Sequence, residues 1–245
     1  MSDNANWDWE SGEKQIPVNP WRERFRWVEE PYASPDGEKV GAVVNLDEGE
    51  FGICVNGETG EGVFDKVWHL RFTASGKSYA IVSEMGEWTV TVDGTPWEEK
   101  FGYVWSPLTS ADGEHVAVAV QQDMKYGMAL DGALWETTFD NATYFALSAD
   151  GTTTAAAVQV EAADSAEVHK FQEGTFAAAV NGAARGDRFV NVWQPVLSAD
   201  GSRLAAEVRI NLYDYTIAVD GKPWSQTFGS VWAPSFHPSS QAVVA

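Results

Sequence analysis

The chain has 245 residues, and its 16 basic side chains against 36 acidic ones give a formal net charge of −20. Such a field repels nucleic acid and anionic membranes and attracts basic partners, so nucleic-acid binding is disfavoured. Only one cysteine, Cys54, is present, which excludes intramolecular disulfides, cysteine-rich zinc sites, self-ligated iron–sulfur clusters and covalent haem attachment.

Residues 1–14 form an acidic, polar tail that contains Trp7 and Trp9. A signal peptide would be basic and then apolar, and no apolar run approaches the roughly 18 residues of a membrane span, so the sequence predicts a cytoplasmic protein. Exposed tryptophans are typical of interface anchors. We therefore predict that Trp7 and Trp9 bind a partner, and the alternative is that the tail folds back on its own domain.

A basic alternation follows the tail, where Arg22, Arg24 and Arg26 stand at every second position. In a strand their three guanidinium groups share one face of the sheet. The pattern predicts either a solvated basic face or a contact for a carboxylate-rich partner.

From residue 25 the chain repeats itself with a period of about 38 residues. A phenylalanine stands twelve residues before each first turn, at Phe25, Phe64, Phe101, Phe139, Phe189 and Phe228. A glycine turn stands seven residues before all but the first of these, at Gly57, Gly94, Gly132, Gly182 and Gly221. The short runs between these marks predict four strands a repeat. Four-stranded repeats of this length are typical of propeller blades, so we predict an all-β, six-bladed β-propeller over residues 15–245.

Two stretches depart from the repeat. An insertion lies within 158–178 and must contain a loop. The sixth repeat, at 232–245, has only its first two strands and lacks the third and fourth. Residues 16–25 resemble the third and fourth strands of the complete fifth repeat. We therefore predict that N-terminal strands complete the C-terminal blade and close the ring, which removes an open sheet edge.

Most of the twelve tryptophans occupy repeat positions, four residues before or after the repeat phenylalanine, and are predicted to pack within blades. They are Trp21, Trp97, Trp135, Trp224, Trp68, Trp105, Trp193 and Trp232. Trp7, Trp9, Trp27 and Trp88 have no such position. Of these, Trp88 joins Trp7 and Trp9 as a predicted partner-binding residue.

The chemistry-bearing residues converge on no catalytic, cofactor or metal site. The histidines occupy unrelated positions, and the turn aspartates fit turn chemistry rather than a calcium loop. We predict a protein without catalytic residues, cofactor or metal. The alternative is a channel-centred, calcium-dependent hydrolase, for which innermost-strand residues such as Glu29 and His69 could face the channel.

The turns Ser34-Pro35-Asp36-Gly37 and Ser110-Ala111-Asp112-Gly113, repeated at 148–151 and 198–201, resemble the WD40-like repeat of TolB-type propellers. The whole chain, acidic and rich in tryptophan, is similar to the acidic tryptophan-rich subunit of the Tmc transmembrane electron-transfer complex of sulfate-reducing bacteria. That resemblance implies a cofactor-free cytoplasmic subunit, peripheral to the inner membrane and without membrane insertion of its own. Its implied partners are iron–sulfur or cytochrome subunits. The alternative is a TolB-like scaffold of another assembly.

Overall fold

The structure, a computed structural model, describes residues 12–162, 168–238 and 240–245, which form short strands and two short helices. They group into two compact units. The first unit runs to Trp105 and includes Thr109–His115, and the second comprises Ser106–Leu108 and Val116–Ala245. The prediction of a single domain over 15–245 stays a prediction.

The strands of the first unit form two antiparallel sheets, preceded by helix α1 (Asn19–Arg24). The first sheet contains β1 (Trp27–Val28), β2 (Tyr32–Ala33), β3 (Val40–Asp47), β4 (Glu50–Val55) and β5 (Glu58–Thr59), with both β1 and β2 paired to β3. The second sheet runs in the order β6 (Lys66–Phe72), β7 (Ser78–Glu84), β8 (Glu87–Val92) and β9 (Thr95–Pro96).

The remaining sheets follow in chain order. The third contains β10 (Tyr103–Thr109), β11 (Val116–Gln122), β12 (Lys125–Leu130) and β13 (Ala133–Leu134). The fourth contains β14 (Ala142–Leu147), β15 (Thr154–Gln159), β16 (Phe176–Val180) and β17 (Ala183–Phe189), with helix α2 (Val168–Glu173) between β15 and β16. The fifth contains β18 (Asn191–Leu197), β19 (Leu204–Arg209), β20 (Tyr215–Val219) and β21 (Lys222–Pro223), and the last contains β22 (Ser235–Phe236) and β23 (Val243–Val244).

Successive four-stranded antiparallel sheets confirm the predicted all-β, propeller-type fold. The second strands of the second, third and fourth sheets are buried on both faces, as their continuous apolar runs require. In the first unit Val43 and Ile53 of the first sheet pack against Val67 and Val82 of the second. The first sheet therefore buries a face against the second, while the number of blades stays a prediction.

A serine–aspartate turn joins the first two strands of several sheets. In the first sheet the Ser34 hydroxyl donates to Asp36 Oδ1 over 2.5 Å, the Glu38 amide donates to the same oxygen over 3.0 Å, and the Lys39 amide donates to Ser34 Oγ. Gly37 supplies the positive φ of 74° that this turn needs. The same bonds recur at Ser110–Asp112, Ser148–Asp150 and Ser198–Asp200.

These turns also touch one another within each unit. In the first unit Lys39 Nζ donates to the Gly76 carbonyl, and the Ser75 hydroxyl donates to the Gly113 carbonyl over 3.0 Å. In the second unit the Asp150 amide donates to the Ala199 carbonyl over 3.3 Å. One turn therefore both closes a hairpin and fixes the position of the neighbouring sheet.

The prediction that residues 16–25 form strands is wrong. Residues Asn19–Arg24 form α1, because Pro20 suits the first turn of a helix and has no N–H to donate to a strand. Strand β1 pairs with β3 of the first sheet, and within the described residues the last sheet contains β22 and β23 alone. The predicted completion of the C-terminal blade by N-terminal strands is therefore also wrong.

The turn contacts predict unequal costs for one substitution at two equivalent glycines. A Cβ added at Gly113, whose φ is +77°, would lie 2.3 Å from the Ser75 amide nitrogen, whereas one at Gly37, with φ +74°, meets nothing within 4 Å. Gly37→Ala should lower the free energy of unfolding by about 1 kcal/mol through backbone strain, and Gly113→Ala by about 3 kcal/mol or more. Urea unfolding measures both, and equal costs would contradict the role of the turn in sheet contact.

The turn also sets the acid response of Asp200. Hydrogen bonds from the Ser198 hydroxyl, the Ser202 hydroxyl and the Ser202 amide lower the pKa of Asp200 to about 2. This lowered pKa stabilises the fold above pH 4 and is lost as the pH falls towards about 2. Ser198→Ala should raise the Asp200 pKa towards 3.8 in a carboxyl-carbon NMR titration, while the matched Ser110→Ala leaves it unchanged. A wild-type pKa near 3.8 would refute the account.

Candidate functional site

The three predicted arginines do not share a strand face. Arg22 and Arg24 lie on α1 and Arg26 follows it, so the predicted strand presentation is wrong. Arg24 Nη1 donates to the Gly57 carbonyl over 2.8 Å, and Arg26 forms an ion pair of 3.2 Å with Asp47. Two of the three guanidinium groups are therefore bound to the first sheet. Their role in partner binding stays a prediction, as does that of Trp7 and Trp9, which lie outside the described residues.

Trp88 has a repeat position after all. It pairs in an antiparallel bridge with Phe101, the repeat phenylalanine thirteen residues later, and is 7% exposed. Every other complete sheet has an aromatic residue at the same place, and we call these five residues the aromatic row. Its members are Phe51, Trp88, Tyr126, Phe176 and Tyr215, which pair with Phe64, Phe101, Phe139, Phe189 and Phe228. The spacing of thirteen residues is the sequence signal that would have placed Trp88.

Around Trp88 the first unit gathers aromatic rings from three strands. The Trp68 ring centre on β6 lies 4.3 Å from that of Trp88, the Tyr103 ring on β10 lies 5.6 Å from Trp88, and Trp105 stacks on Tyr103 at 5.8 Å. Such separations are typical of favourable aromatic pairs. We call Trp68, Trp88, Tyr103 and Trp105 the tryptophan patch.

Strand alternation explains why these rings reach the surface. Val67 and Val104 are buried, so their neighbours on β6 and β10 point the other way. After Trp68 the pairing of β6 with β7 shifts at a bulge, where His69 has a positive φ of 57°. Trp68 is 45% exposed and Tyr103 is 42% exposed, while Trp88 lies beneath them.

Lys66 completes the patch with a positive charge. Its Nζ lies 5.6 Å from the Trp68 ring centre and 5.5 Å from that of Trp88, which is the geometry of a cation–π contact. Nearby, the Asp65 carboxylate accepts the Met85 amide, and the Met85 side chain is 90% exposed. The patch is thus an accessible aromatic surface with its own cation and an apolar neighbour.

Glu29 and His69, the two residues of the hydrolase alternative, have shifted acidities. Burial raises the pKa of Glu29, while burial and then the Arg71 charge lower the pKa of His69. His69 lies against Tyr79, with ring centres 6.1 Å apart. Within the described part of the chain, no group of three His, Cys, Asp or Glu residues is placed to hold a metal.

A cavity of about 570 Å³ lies in the second unit, lined by Val196–Asp200, Ser235–Pro238 and Gln241. Its carboxylate, Asp200, already accepts hydrogen bonds from Ser198, Ser202 and Gln241. The Asp200 side chain is therefore committed to the turn and to the last sheet, which leaves the tryptophan patch as the stronger candidate site.

No family model and no curated protein matches the sequence. Similar solved structures include TolB from Acinetobacter baumannii, at 14% identity and a TM-score of 0.34, and a eukaryotic initiation factor, at 12% and 0.48. In both, the match covers 82% of this chain and 55% of the other. The β-propeller domain of the trilobed protease from Pyrococcus furiosus matches at 13% identity and a TM-score of 0.41, over 83% of this chain and 71% of that one.

These likenesses bear on fold alone, and this chain spans about half the length of the first two structures. The four-stranded antiparallel sheets of this chain are those of a propeller-type fold, and its resemblance to the TolB type stays a prediction. The resemblance to the Tmc subunit gains no support from them and stays a hypothesis.

The patch predicts different stability costs for its two central tryptophans. Trp88→Ala removes a buried side chain and should lower the free energy of unfolding by about 3–5 kcal/mol. Trp68→Ala removes a half-exposed ring and its tilted contact with Trp88, so about 1–2 kcal/mol is expected. Urea unfolding followed by circular dichroism measures both, and a Trp68 cost as large as that of Trp88 would show that Trp68 is a core residue.

Proposed function

We propose that this chain is a non-catalytic, cofactor-free propeller that binds a partner protein through the tryptophan patch. The observation that carries this proposal is the half exposure of Trp68 and Tyr103 above the buried Trp88. Large, rigid aromatic side chains that stay reachable by solvent are the residues that most often anchor protein interfaces. Because the rings hold one another by tilted, edge-on and stacked contacts, little conformational entropy is lost when a partner covers them.

The charge of the chain supports a basic partner surface. A formal net charge of −20 attracts positive proteins over roughly a Debye length of 8 Å and orients them before contact. The patch would then supply the short-range apolar contact, and the acidic field would set the association rate. Raised salt should therefore slow association more than it speeds dissociation.

The finer form of the proposal is that the chain is a cytoplasmic subunit of a membrane-associated electron-transfer complex, with iron–sulfur or cytochrome subunits as partners. It rests on the resemblance of this acidic, tryptophan-rich chain to the Tmc subunit. Among the described residues no helix is both long enough and apolar enough to cross a membrane. Attachment through partner subunits is therefore the form of membrane association that we propose.

The proposal predicts that native partners depend on the patch. The tagged chain is used to capture complexes from detergent-solubilised native membranes, alongside the double variant Trp68→Ala, Tyr103→Ala. The double variant should lose about 2 kcal/mol or more of binding free energy, roughly a 30-fold weakening. The matched control, Trp27→Ala, removes a 51% exposed tryptophan outside the patch and should bind normally.

The dependence of capture on the patch tests the docking site, and the absorption of the captured subunits tests the electron-transfer assignment. Captured subunits that show iron–sulfur or haem absorption and depend on the patch would support the electron-transfer assignment. Patch-dependent capture without redox subunits would refute that assignment and favour a scaffold of another assembly. Capture that is equally strong for the double variant would refute the patch as the docking site.

A further inference from the structure

The two-residue turns that lead into the last strand of each complete sheet have the residues that their backbone favours. They are Asn56-Gly57, Asp93-Gly94, Asp131-Gly132, Asn181-Gly182 and Asp220-Gly221, all at positive φ. Asparagine, aspartate and glycine tolerate this left-handed conformation best. The side chain also has a task, because its oxygen accepts the amide at the start of a neighbouring strand, as Asp93 accepts that of Ser78 over 2.8 Å. The fold itself therefore accounts for these residues.

Two methionines depart from this preference at the turns between second and third strands. Met85-Gly86 joins β7 to β8 with φ values of 52° and 85°, and Asp123-Met124 joins β11 to β12 with 51° and 64°. Burial does not compensate for the strain, since Met85 is 90% exposed and Met124 is 76% exposed. A flexible apolar side chain thus stands in solvent at positions where the backbone favours asparagine or glycine.

The same connection exposes apolar residues in a third sheet. Between β19 and β20 of the fifth sheet, Leu212 is half-exposed and Tyr213 is 79% exposed. In the second sheet the connection lies beside the tryptophan patch, because Ser83 pairs with Trp88 one step from the turn. We call residues 84–87, with Met85 at their end, the Met85 tip. Its turn is held from outside by Asp65, whose carboxylate accepts the Met85 amide over 2.7 Å.

Carboxylates flank the Met85 tip. Glu84 and Glu87 close the turn, and Asp65 binds its backbone. Two basic side chains at this end of the sheet are already engaged, since Lys66 lies over the Trp68 and Trp88 rings and Lys100 forms an ion pair of 2.7 Å with Glu84. A partner that covers the patch therefore meets an apolar side chain with acidic flanks.

We propose that Met85 inserts into an apolar pocket of the partner protein, and that the rim of this pocket is basic. Methionine is long, unbranched and polarisable, so it fills irregular pockets, and it is enriched in protein interfaces. The flanking carboxylates and the net charge of −20 favour the basic rim. This inference rests on the proposed function, because the pocket belongs to the partner that the tryptophan patch binds.

The test titrates variants of the full chain with the purified subunits that the wild type captures from native membranes. Met85→Asn should weaken binding about ten-fold, because it removes the apolar side chain. The same variant should melt about 2 °C higher than the wild type, because asparagine tolerates the positive φ better. Met85→Leu keeps an apolar side chain of similar volume and should bind within about three-fold of the wild type.

Two further variants test the position and the flanking charge. Met124→Gly relieves the same kind of strain at the equivalent turn of the third sheet, so it should melt higher and bind normally. Glu87→Gln removes one flanking charge and should weaken binding about two-fold at low salt and less at high salt. An affinity that Glu87→Gln leaves unchanged at low salt would refute the basic rim.

Several outcomes would overturn the insertion of Met85. They are normal binding by Met85→Asn, an equal loss in Met85→Leu, and an equal loss in Met124→Gly. A Met85→Asn chain that melts below the wild type would contradict the argument from strain. If Met85→Asn binds normally while Trp68→Ala, Tyr103→Ala weakens binding, the tryptophan patch stands without Met85. If neither variant weakens binding, the proposed function fails as well.

Discussion

The serine–aspartate turn is the constraint on which the rest of the structure depends. Within it an aspartate oxygen accepts both a serine hydroxyl and a backbone amide, so the conformation of the hairpin end is fixed by local bonds. The following glycine, at positive φ, then brings the backbone against the neighbouring turn, as at Gly113 and Ser75. A side chain at that point would separate the two turns. The spacing of these turns is therefore set by the absence of a Cβ.

A fixed frame leaves other positions free to vary from sheet to sheet. The aromatic row keeps a ring beside the repeat phenylalanine in each complete sheet, whereas the residues that flank it change. In the second sheet these residues are Lys66, Ser83 and Ile81. At the equivalent places the fifth sheet has Asn191, Arg209 and Glu207. Neither change disturbs the turns, because the flanking side chains lie at the opposite end of the strands from the serine–aspartate bonds. Surface chemistry can thus differ between equivalent positions of different repeats.

Most of the fold could be predicted because strands and turns are specified locally, by two-residue alternation and by Asn/Asp-Gly and Ser-X-Asp-Gly turns. Asn56 and Asp93 show why the distance from a strand to the turn after its partner strand is constant. Asn56 accepts the amide of Val40, at the start of β3, and Asp93 accepts the amide of Ser78, at the start of β7. The prediction of a strand in the N-terminal segment was wrong for a physical reason. Trp21 is 4% exposed and lies in the core with Phe25. A helix can bury that ring as well as a strand can, so the burial of Trp21 does not decide between helix and strand. The tryptophan patch joins residues distant in sequence, so its contacts could not be read from spacing alone.

The distribution of charge explains why apolar contact dominates at the tryptophan patch. Several basic side chains already face acidic ones, including Lys77 with Glu114, Lys100 with Glu84 and Arg203 with Asp220. These exposed pairs contribute little stability, but they neutralise charge locally. The acidic excess therefore acts mainly through carboxylates without such partners. Beside Trp68 and Trp88 a partner meets rings whose cation site Lys66 already holds, so apolar contact dominates there.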